Sequence, residues 1–479
     1  MSTPSAPAAD QVGDLRPGSG PGTNPAVAEL QQVLGGKVAV DPIVRAERSR
    51  DRSHLPHGTA DAVVRCTSTH DVAAAARICA AHGVPMVPAG AGTGLEGGAN
   101  ARPGWVVIDL SPMDRILRIG AADLDATVQA GVLKSRLNAA LQPHGLWFPA
   151  GPGVDASFGG MASTCASGTM AVRYGTLREN VLGLTVVLAG GEVIRTGGRA
   201  RKSASGYDLT RLFVGAEGTL GIITEVTVRL HGLPRAVSAA VCSFPTLQDA
   251  TLTVQEAVQA GIPVARMELL DEPMMAAINA YAATTSVTAL PETATLFLEF
   301  HGTPRSMAEQ AGQLRAIAAA HGGTGFESAG GPQERERLWQ ARTDVLPACQ
   351  ALVPGAATWS TDVCVPISRL AECITATQAD IAASGVIAPI AGHAGDGNFH
   401  LAFVLAPGDG QALAAATAVN ERLVARALAM GGTCTGEHGI GTGKLAALAA
   451  EHGPGVQVMA AIKAALDPQQ IMNPGKVLP

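Results

Sequence analysis

Residues 88–98 read PAGAGTGLEGG, and within them Gly92-Thr93-Gly94-Leu95-Glu96-Gly97 fits the spacing G-x-G-x-x-G. That spacing marks a dinucleotide-binding turn only when its glycines run straight into a helix, whose N-terminal amides and dipole receive a pyrophosphate. Here the chain continues ANARPGW, with Pro103 and Gly104, and then the apolar run VVIDL. Nothing helical follows, so a nicotinamide-binding Rossmann unit is rejected. What remains is a strand ending at Pro88 and a loop with five glycines between Gly90 and Gly98. Such a loop can turn successive N–H groups toward one anion, although its composition also suits a plain tight turn. A second stretch of the same kind, PAGPGVDASFGGMASTCASG from Pro149 to Gly168, shifts the balance. Two side-chain-poor segments on a strand-rich frame point to a large ligand lying against bare main chain.

Outward from that loop, DAVVRC, VPMVPAG and WVVIDL read as strands, with the capped helix STHDVAAAARICAAHG between the first two. ATVQAG and the helical LKSRLNAALQPHG come next, and VLGLTVVLA, EVIRTG and GIITEVTVRL close this region near Leu230. Upstream, Asn24 caps a helix that starts on Pro25 and stops at Gly35-Gly36. The first twenty or so residues, rich in Pro, Gly, Ser and Ala, are expected to be a disordered lead. Pro234 marks a change of style. Strands AAVCSF, TLFLEF and ATWSTDVCVP alternate with Ala-rich helices, an α+β pattern, before the long helix DGQALAAATAVNERLVARALAMGG. The expected division is 1–24 as the lead, 25–233, 234–435, and a C-terminal segment 436–479.

Bulk properties narrow the function. At 479 residues the chain needs more than one core. Its 47% apolar and 15% charged content suits a well-buried enzyme. A net charge of −6 and 3% aromatics argue against nucleic acid and against single-strand stacking platforms. The eight cysteines include no C-x-x-C pair, so no iron–sulfur or zinc-knuckle ligand set exists, and they read as buried thiols of a reducing compartment. No run of eighteen apolar residues occurs, and the N-terminus has no secretion signal. A cytoplasmic location, at most peripheral to an inner membrane, is expected.

The chemistry gathers in IAGHAGDGNFHLAF. Two apolar runs flank Asp396-Gly397, the signature of a two-residue hairpin turn. With that turn, His393 stands directly opposite His400, and paired Cβ atoms lie about 5 Å apart on one face. Two imidazoles so placed can share a metal ion or a hydrogen bond. The loop TGEHGIG adds Glu437 and His438, and two imidazoles with a carboxylate suit Zn²⁺, Mn²⁺ or Fe²⁺. A non-haem iron oxygenase would use such a triad too, but that reading leaves the first 230 residues unexplained.

PAGAGTGLEGGAN, GGMASTCASGTMAVRYGT and GYDLTRLFVGAEGTLGIITEV resemble the FAD-binding domain of the vanillyl-alcohol oxidase/p-cresol methylhydroxylase class. With TDVCVPISRL, GHAGDGNFH, GTCTGEHGIGTGK and MNPGKVL, roughly nine-tenths of the chain resembles the FAD-linked, cytochrome-type D-lactate dehydrogenase family. The implied fold is α+β: a two-subdomain FAD-binding domain, an α+β substrate domain with an antiparallel sheet, and a helical C-terminal cap. The resemblance implies FAD pyrophosphate contacts at Gly90, Ala91, Gly92, Thr93 and Gly94, with Pro88 before them also at the cofactor. It implies flavin contacts at Pro152, Gly153, Ser157, Gly160, Ala162, Thr164 and Gly168. Adenine-side contacts fall at Glu217, Gly221 and Ile223, and Asn473 lies near the isoalloxazine. The first glycine-rich segment offers no His, Cys or Tyr for a tether and the second only Cys165, so FAD is expected to be non-covalent.

The same resemblance assigns the metal ligands to His393, His400 and Glu437 and leaves His438 free as general base, its ordinary pKa lying near neutrality. The substrate hydroxyl would lose its proton to His438 while the α-hydrogen leaves as hydride to flavin N5. Arg342, in the family's LWxAR pattern, is the candidate clamp for a substrate carboxylate, whereas Arg335 and Arg337 read as surface residues. Asn398 either contacts substrate or steadies the hairpin. Relatives acting on D-2-hydroxyglutarate carry Lys-Tyr-Asp where this chain has Ser360-Thr361-Asp362, so a monocarboxylic D-2-hydroxy acid such as D-lactate fits better. The alternatives are a 2-hydroxyglutarate- or glycolate-type enzyme of the same fold, or a catalytically silent flavin-binding subunit of a larger oxidase. With no haem-attachment or cluster motif, electrons must pass to an external cytochrome, quinone or electron-transfer flavoprotein. A homodimer is compatible with the sequence.

Overall fold

The computed structural model describes residues 24–200, 202–282 and 289–478. The expected lead, apart from Asn24, lies outside these residues.

Four strands form the first sheet, in the order Val38–Ala39, Ala62–Arg65, Val106–Asp109, Met86–Ala89, and the last three run parallel. The helix Thr69–His82 makes the crossover. It is capped by the Ser68 hydroxyl on the Asp71 amide and stopped by Gly83 at φ 62°. Residues 90–105 contain no helix, as the sequence requires, so the glycine loop leaves the carboxyl end of a parallel strand and returns directly to its neighbour. That end of a parallel sheet is where ligands of α/β sheets bind. A five-stranded antiparallel sheet follows in the order Ile116–Gly120, Asp125–Gln129, Ile222–Arg229, Val181–Val187, Val193–Gly197. The second glycine-rich segment is not all loop. Ser157 begins a short helix, Phe158–Ser163, whose Gly159 lies so close to Ala130 that a Cβ would come within 2.6 Å of the alanine methyl.

From Ala236 the chain builds one large antiparallel sheet. Its order is Thr324–Ala329, Ala236–Phe244, Ala294–Gly302, Val264–Leu270, Ile390–His393, Asn398–Leu405, Ala357–Ser360, with Val363–Cys364 also pairing with Asn398–Leu405. The fold is α+β, as expected. Two departures from the sequence reading bear on the site. ATWSTDVCVP is not one strand but two short ones, broken at Thr361-Asp362, both of which turn inward and are buried. The central strand Val264–Leu270 was not anticipated; its pattern VARMELL mixes charges into a run buried on both faces.

Asp271 ties this strand to its neighbour, accepting from the Ile390 and Met274 amides at 3.0 Å each. Burial pushes its carboxyl up to about 7, against the pull of those two donors. Between the ordinary carboxylate pKa and about 7 the unfolded chain therefore binds fewer protons than the folded one, and stability falls as pH rises through that window. Asp271→Asn is expected to melt above the wild type at pH 8, on the order of a few degrees, with the gap closing toward pH 4. Thermal unfolding at the two pH values checks it.

The C-terminal helices Leu445–His452 and Gly455–Leu466 lead the chain back to the first sheet. Met472 bridges Met86, the Met86 amide donates to Ile471 and the Asn473 amide donates to Met86, so the tail covers an otherwise open strand edge. No helix among the described residues is long and apolar enough to cross a membrane.

Candidate active site

The hairpin carrying the two histidines has a longer turn than its sequence suggests. Ala394–Asp396 form a 3₁₀ turn and Gly397 is left-handed at φ 77°, so His393 pairs with Asn398, and His400 pairs with Ala391. The expected direct pairing of His393 with His400 is thus corrected to a diagonal one. The slip is by two residues, an even number, so both side chains still occupy one face, with ring centroids 5.3 Å apart.

Each imidazole is oriented from behind. His393 Nδ1 lies 2.7 Å from Glu268 Oε1, and His400 Nδ1 lies 2.8 Å from the Thr361 carbonyl. Both partners only accept, so both Nδ1 atoms carry the proton and both Nε2 atoms face inward. They converge on Glu437 Oε1, at 3.2 Å from His393 and 3.4 Å from His400. One ligand atom from each of the three residues lies within 4.8 Å of the others. Glu437 Oε2 is buried without a hydrogen-bond partner, an omission a cation among these donors would repair. Burial alone would lower His393, but Glu268 and Glu437 outweigh it and raise its pKa to about 10. The two histidines in turn hold Glu437 well below the usual carboxylate range despite its burial.

Asp362, which carries no role in the sequence reading, organises the loop that supplies Glu437 and His438. Its Oδ2 accepts from the Glu437 and His438 amides at 2.8 and 2.9 Å and from the Thr435 hydroxyl at 2.7 Å. Its Oδ1 accepts from Asn398 Nδ2 at 2.7 Å. Asn398 also donates to the Val363 carbonyl, so its amide nitrogen is spent on steadying this corner. His438 stacks on His400 with centroids 5.1 Å apart and planes 11° from parallel. Burial, reinforced by His400 and Lys444, lowers its pKa to about 4, so the ring is neutral at pH 7. Its Nδ1 is buried and unpartnered, with Glu96 Oε1 the nearest carboxylate oxygen at 3.8 Å. Glu96, from the glycine loop, pairs with Lys444 at 3.1 Å, and burial pushes its carboxyl up to about 7. Glu96 and Lys444 were missed because a lone carboxylate among glycines and a lysine at a helix start carry no pattern.

Arg342 closes the helix Pro332–Thr343 and stands at the site, but its Nε and Nη2 are bound to Glu268 at 2.8 and 2.7 Å.

The expected cofactor residues fall into three groups. Gly90, Ala91 and Gly92 line a cavity of about 200 Å³ together with Arg48 and Arg50. Glu47 and Asp51 line it too, and Arg48 is already bound to Asp109 and to the Gly90 carbonyl, so what fits a pyrophosphate here is the bare main chain, with Gly92 at φ 70°, beside Arg50. Ser157 joins the two glycine segments: its hydroxyl accepts from the Ala91 amide, and a Cβ on Gly90 would come within 2.4 Å of it. Gly94 accepts from the Arg52 amide, and Thr93 beside it is half-buried. Along the second segment the Lys134 ammonium holds the Pro152 carbonyl, Gly153 is exposed, and Gly168 abuts Gly151 and Pro152. Gly160 and Ala162 sit within the short helix that Thr164 ends. The third group is committed to packing. Pro88 presses on Gly218, Gly221 on Val186, and the Ile223 side chain is in the core. Glu217 spends its carboxylate on the Ile440 and Gly441 amides, and Asn473 donates to the Gly98 and Glu217 carbonyls.

Residues 233–477 match the C-terminal domain of FAD linked oxidases, and residues 60–197 match an FAD binding domain. The chain belongs to the FAD-linked oxidases. This FAD-linked oxidase is 49% identical over 457 residues to a probable mitochondrial D-lactate dehydrogenase of Danio rerio, covering 94% of this chain and 91% of that one. It is 42% identical over 456 residues to the mitochondrial D-lactate dehydrogenase (cytochrome) of Arabidopsis thaliana, covering 95% and 80%. Among solved structures, p-cresol methylhydroxylase with substrate bound superposes with a TM-score of 0.72 at 19% identity, over 94% of this chain and 96% of that one. That likeness concerns the fold: in this FAD-linked oxidase the flavin-binding architecture is of the p-cresol methylhydroxylase type.

Proposed function

We propose that this FAD-linked oxidase is a D-lactate dehydrogenase that oxidises D-lactate, or a close monocarboxylic homologue, to the 2-oxo acid. The observation that carries the reading is the convergence of two Nε2 atoms and one carboxylate beside a neutral, unpartnered imidazole, in a chain 41–49% identical to D-lactate dehydrogenases. When bound, non-covalent FAD supplies the acceptor for two electrons and the α-hydrogen, and a divalent cation such as Zn²⁺ or Mn²⁺ supplies positive charge that acidifies the substrate hydroxyl. His393, His400 and Glu437 are the residues to hold that cation. His438 accepts the hydroxyl proton, and the Asp362 carboxylate fixes its backbone while doing so. Arg342 presents the edge of its guanidinium not used by Glu268 to the substrate carboxylate.

Charge favours a monoacid. The Arg342 charge is already matched by Glu268, and that of Lys444 is shared between Glu96 and Asp362. Ser360 and Thr361 bring no side-chain charge of their own to meet a second substrate carboxylate, whose burial there would go uncompensated. Electrons taken up by bound FAD would leave to an external acceptor, and the cytochrome-type relatives favour a cytochrome.

Purified protein is expected to be yellow, with all flavin released by acid precipitation. Anaerobic D-lactate should bleach the flavin while L-lactate leaves it oxidised. Colour kept in the acid pellet contradicts non-covalent binding, and bleaching by L-lactate alone overturns the stereochemical assignment.

A further inference from the structure

Glu268 is a buried group at this site to which the proposed chemistry gives no step of its own. It lies mid-strand between Met267 and Leu269 with an exposure of 0%, where an ionised carboxylate survives only if it is fully paired. Two partners share it. His393 Nδ1 lies 2.7 Å from Oε1 and 2.9 Å from Oε2, while Arg342 approaches Oε2 through Nε and Nη2. The other imidazole, His400, is oriented by a neutral main-chain carbonyl. One of the two histidines is therefore held by a full negative charge, and the same charge anchors the arginine.

We propose that Glu268 is a positioning residue that joins the cation site to the substrate clamp, an inference that rests on the metal-dependent reading above. By accepting from Nδ1–H it turns Nε2 of His393 toward Glu437, 3.2 Å away, and makes the ring a stronger donor to a cation. By binding one edge of Arg342 it fixes the direction of the other. A carboxylate that orients a ligating imidazole typically contributes 10- to 100-fold in metal affinity. Here its loss also frees Arg342, so substrate affinity falls with it.

The test is equilibrium dialysis of the flavin-loaded protein against Mn²⁺ or Zn²⁺, with flavin content measured alongside and KM and kcat for D-lactate determined separately. Glu268→Gln is expected to keep its flavin, to bind the cation about 10- to 100-fold more weakly, and to raise KM. A flavin-loaded Glu268→Gln with unchanged cation affinity and unchanged KM overturns the proposal, whatever happens to its melting temperature. If that variant fails to fold, Glu268→Asp decides. It keeps the charge but shortens the reach, and a cation affinity equal to wild type overturns the proposal just as well. A wild-type chain that takes up neither cation overturns the metal-dependent reading and this inference together, an outcome distinct from failure at Glu268 alone.

Discussion

His393→Ala is expected to yield a protein that stays yellow but has lost both its divalent cation and its turnover. His393 is the side chain that touches Glu268 on one side and Glu437 on the other. Without it two of the three proposed ligands remain, and two buried carboxylates lose a shared partner. Misplacing one ligand through its outer partner costs 10- to 100-fold in affinity, so removing the ligand itself should lower D-lactate turnover by more than about a hundredfold. The nucleotide half does not depend on this ring, since the loop at Gly90–Gly94 is held by Ser157, Arg52 and its own strand. Metal analysis, flavin absorbance and a turnover assay on one preparation give the answer. Turnover unchanged from wild type would remove the cluster from the mechanism.

His438→Gln should behave differently, with cation and flavin retained and kcat reduced by about 10²–10⁴-fold, the usual contribution of a positioned general base. The loop around it is fixed by its amides on Asp362 rather than by the imidazole, so Glu437 should remain in place when the ring is replaced. KM should change little. A kcat within tenfold of wild type would assign the proton transfer to another group, and Glu96, 3.8 Å from Nδ1, would be the first to examine.

These contrasts mark what a sequence can and cannot disclose. The glycine loop was legible because Pro103 and Gly104 exclude a helix after it, and residues 90–105 have none. The shared face of His393 and His400 was legible even though the turn was misjudged, because a strand alternates with period two and the error was an even one. Glu268 was not legible. Its strand is central and buried on both faces, so it shows no alternation, and a carboxylate inside it looks like evidence against a strand. Asp362 was hidden for a related reason: a break of two residues between short strands is invisible in ATWSTDVCVP, yet that break turns Asp362 toward the Glu437 loop. Arg342 was singled out from LWQAR, but no pattern there could show that a buried glutamate 74 residues earlier already occupies half its fork.

The tail that returns to the first sheet has a consequence for how the molecule comes into being. Asn473 grips the carbonyl of Gly98, 375 positions behind it, and that of Glu217, 256 positions behind, while Lys476 reaches back to Asn100. On the ribosome, the half that emerges first thus stays unclasped until residues 473–476 have emerged in their turn. A fusion joined just beyond these residues would load that clasp directly, whereas one placed ahead of Asn24 would not.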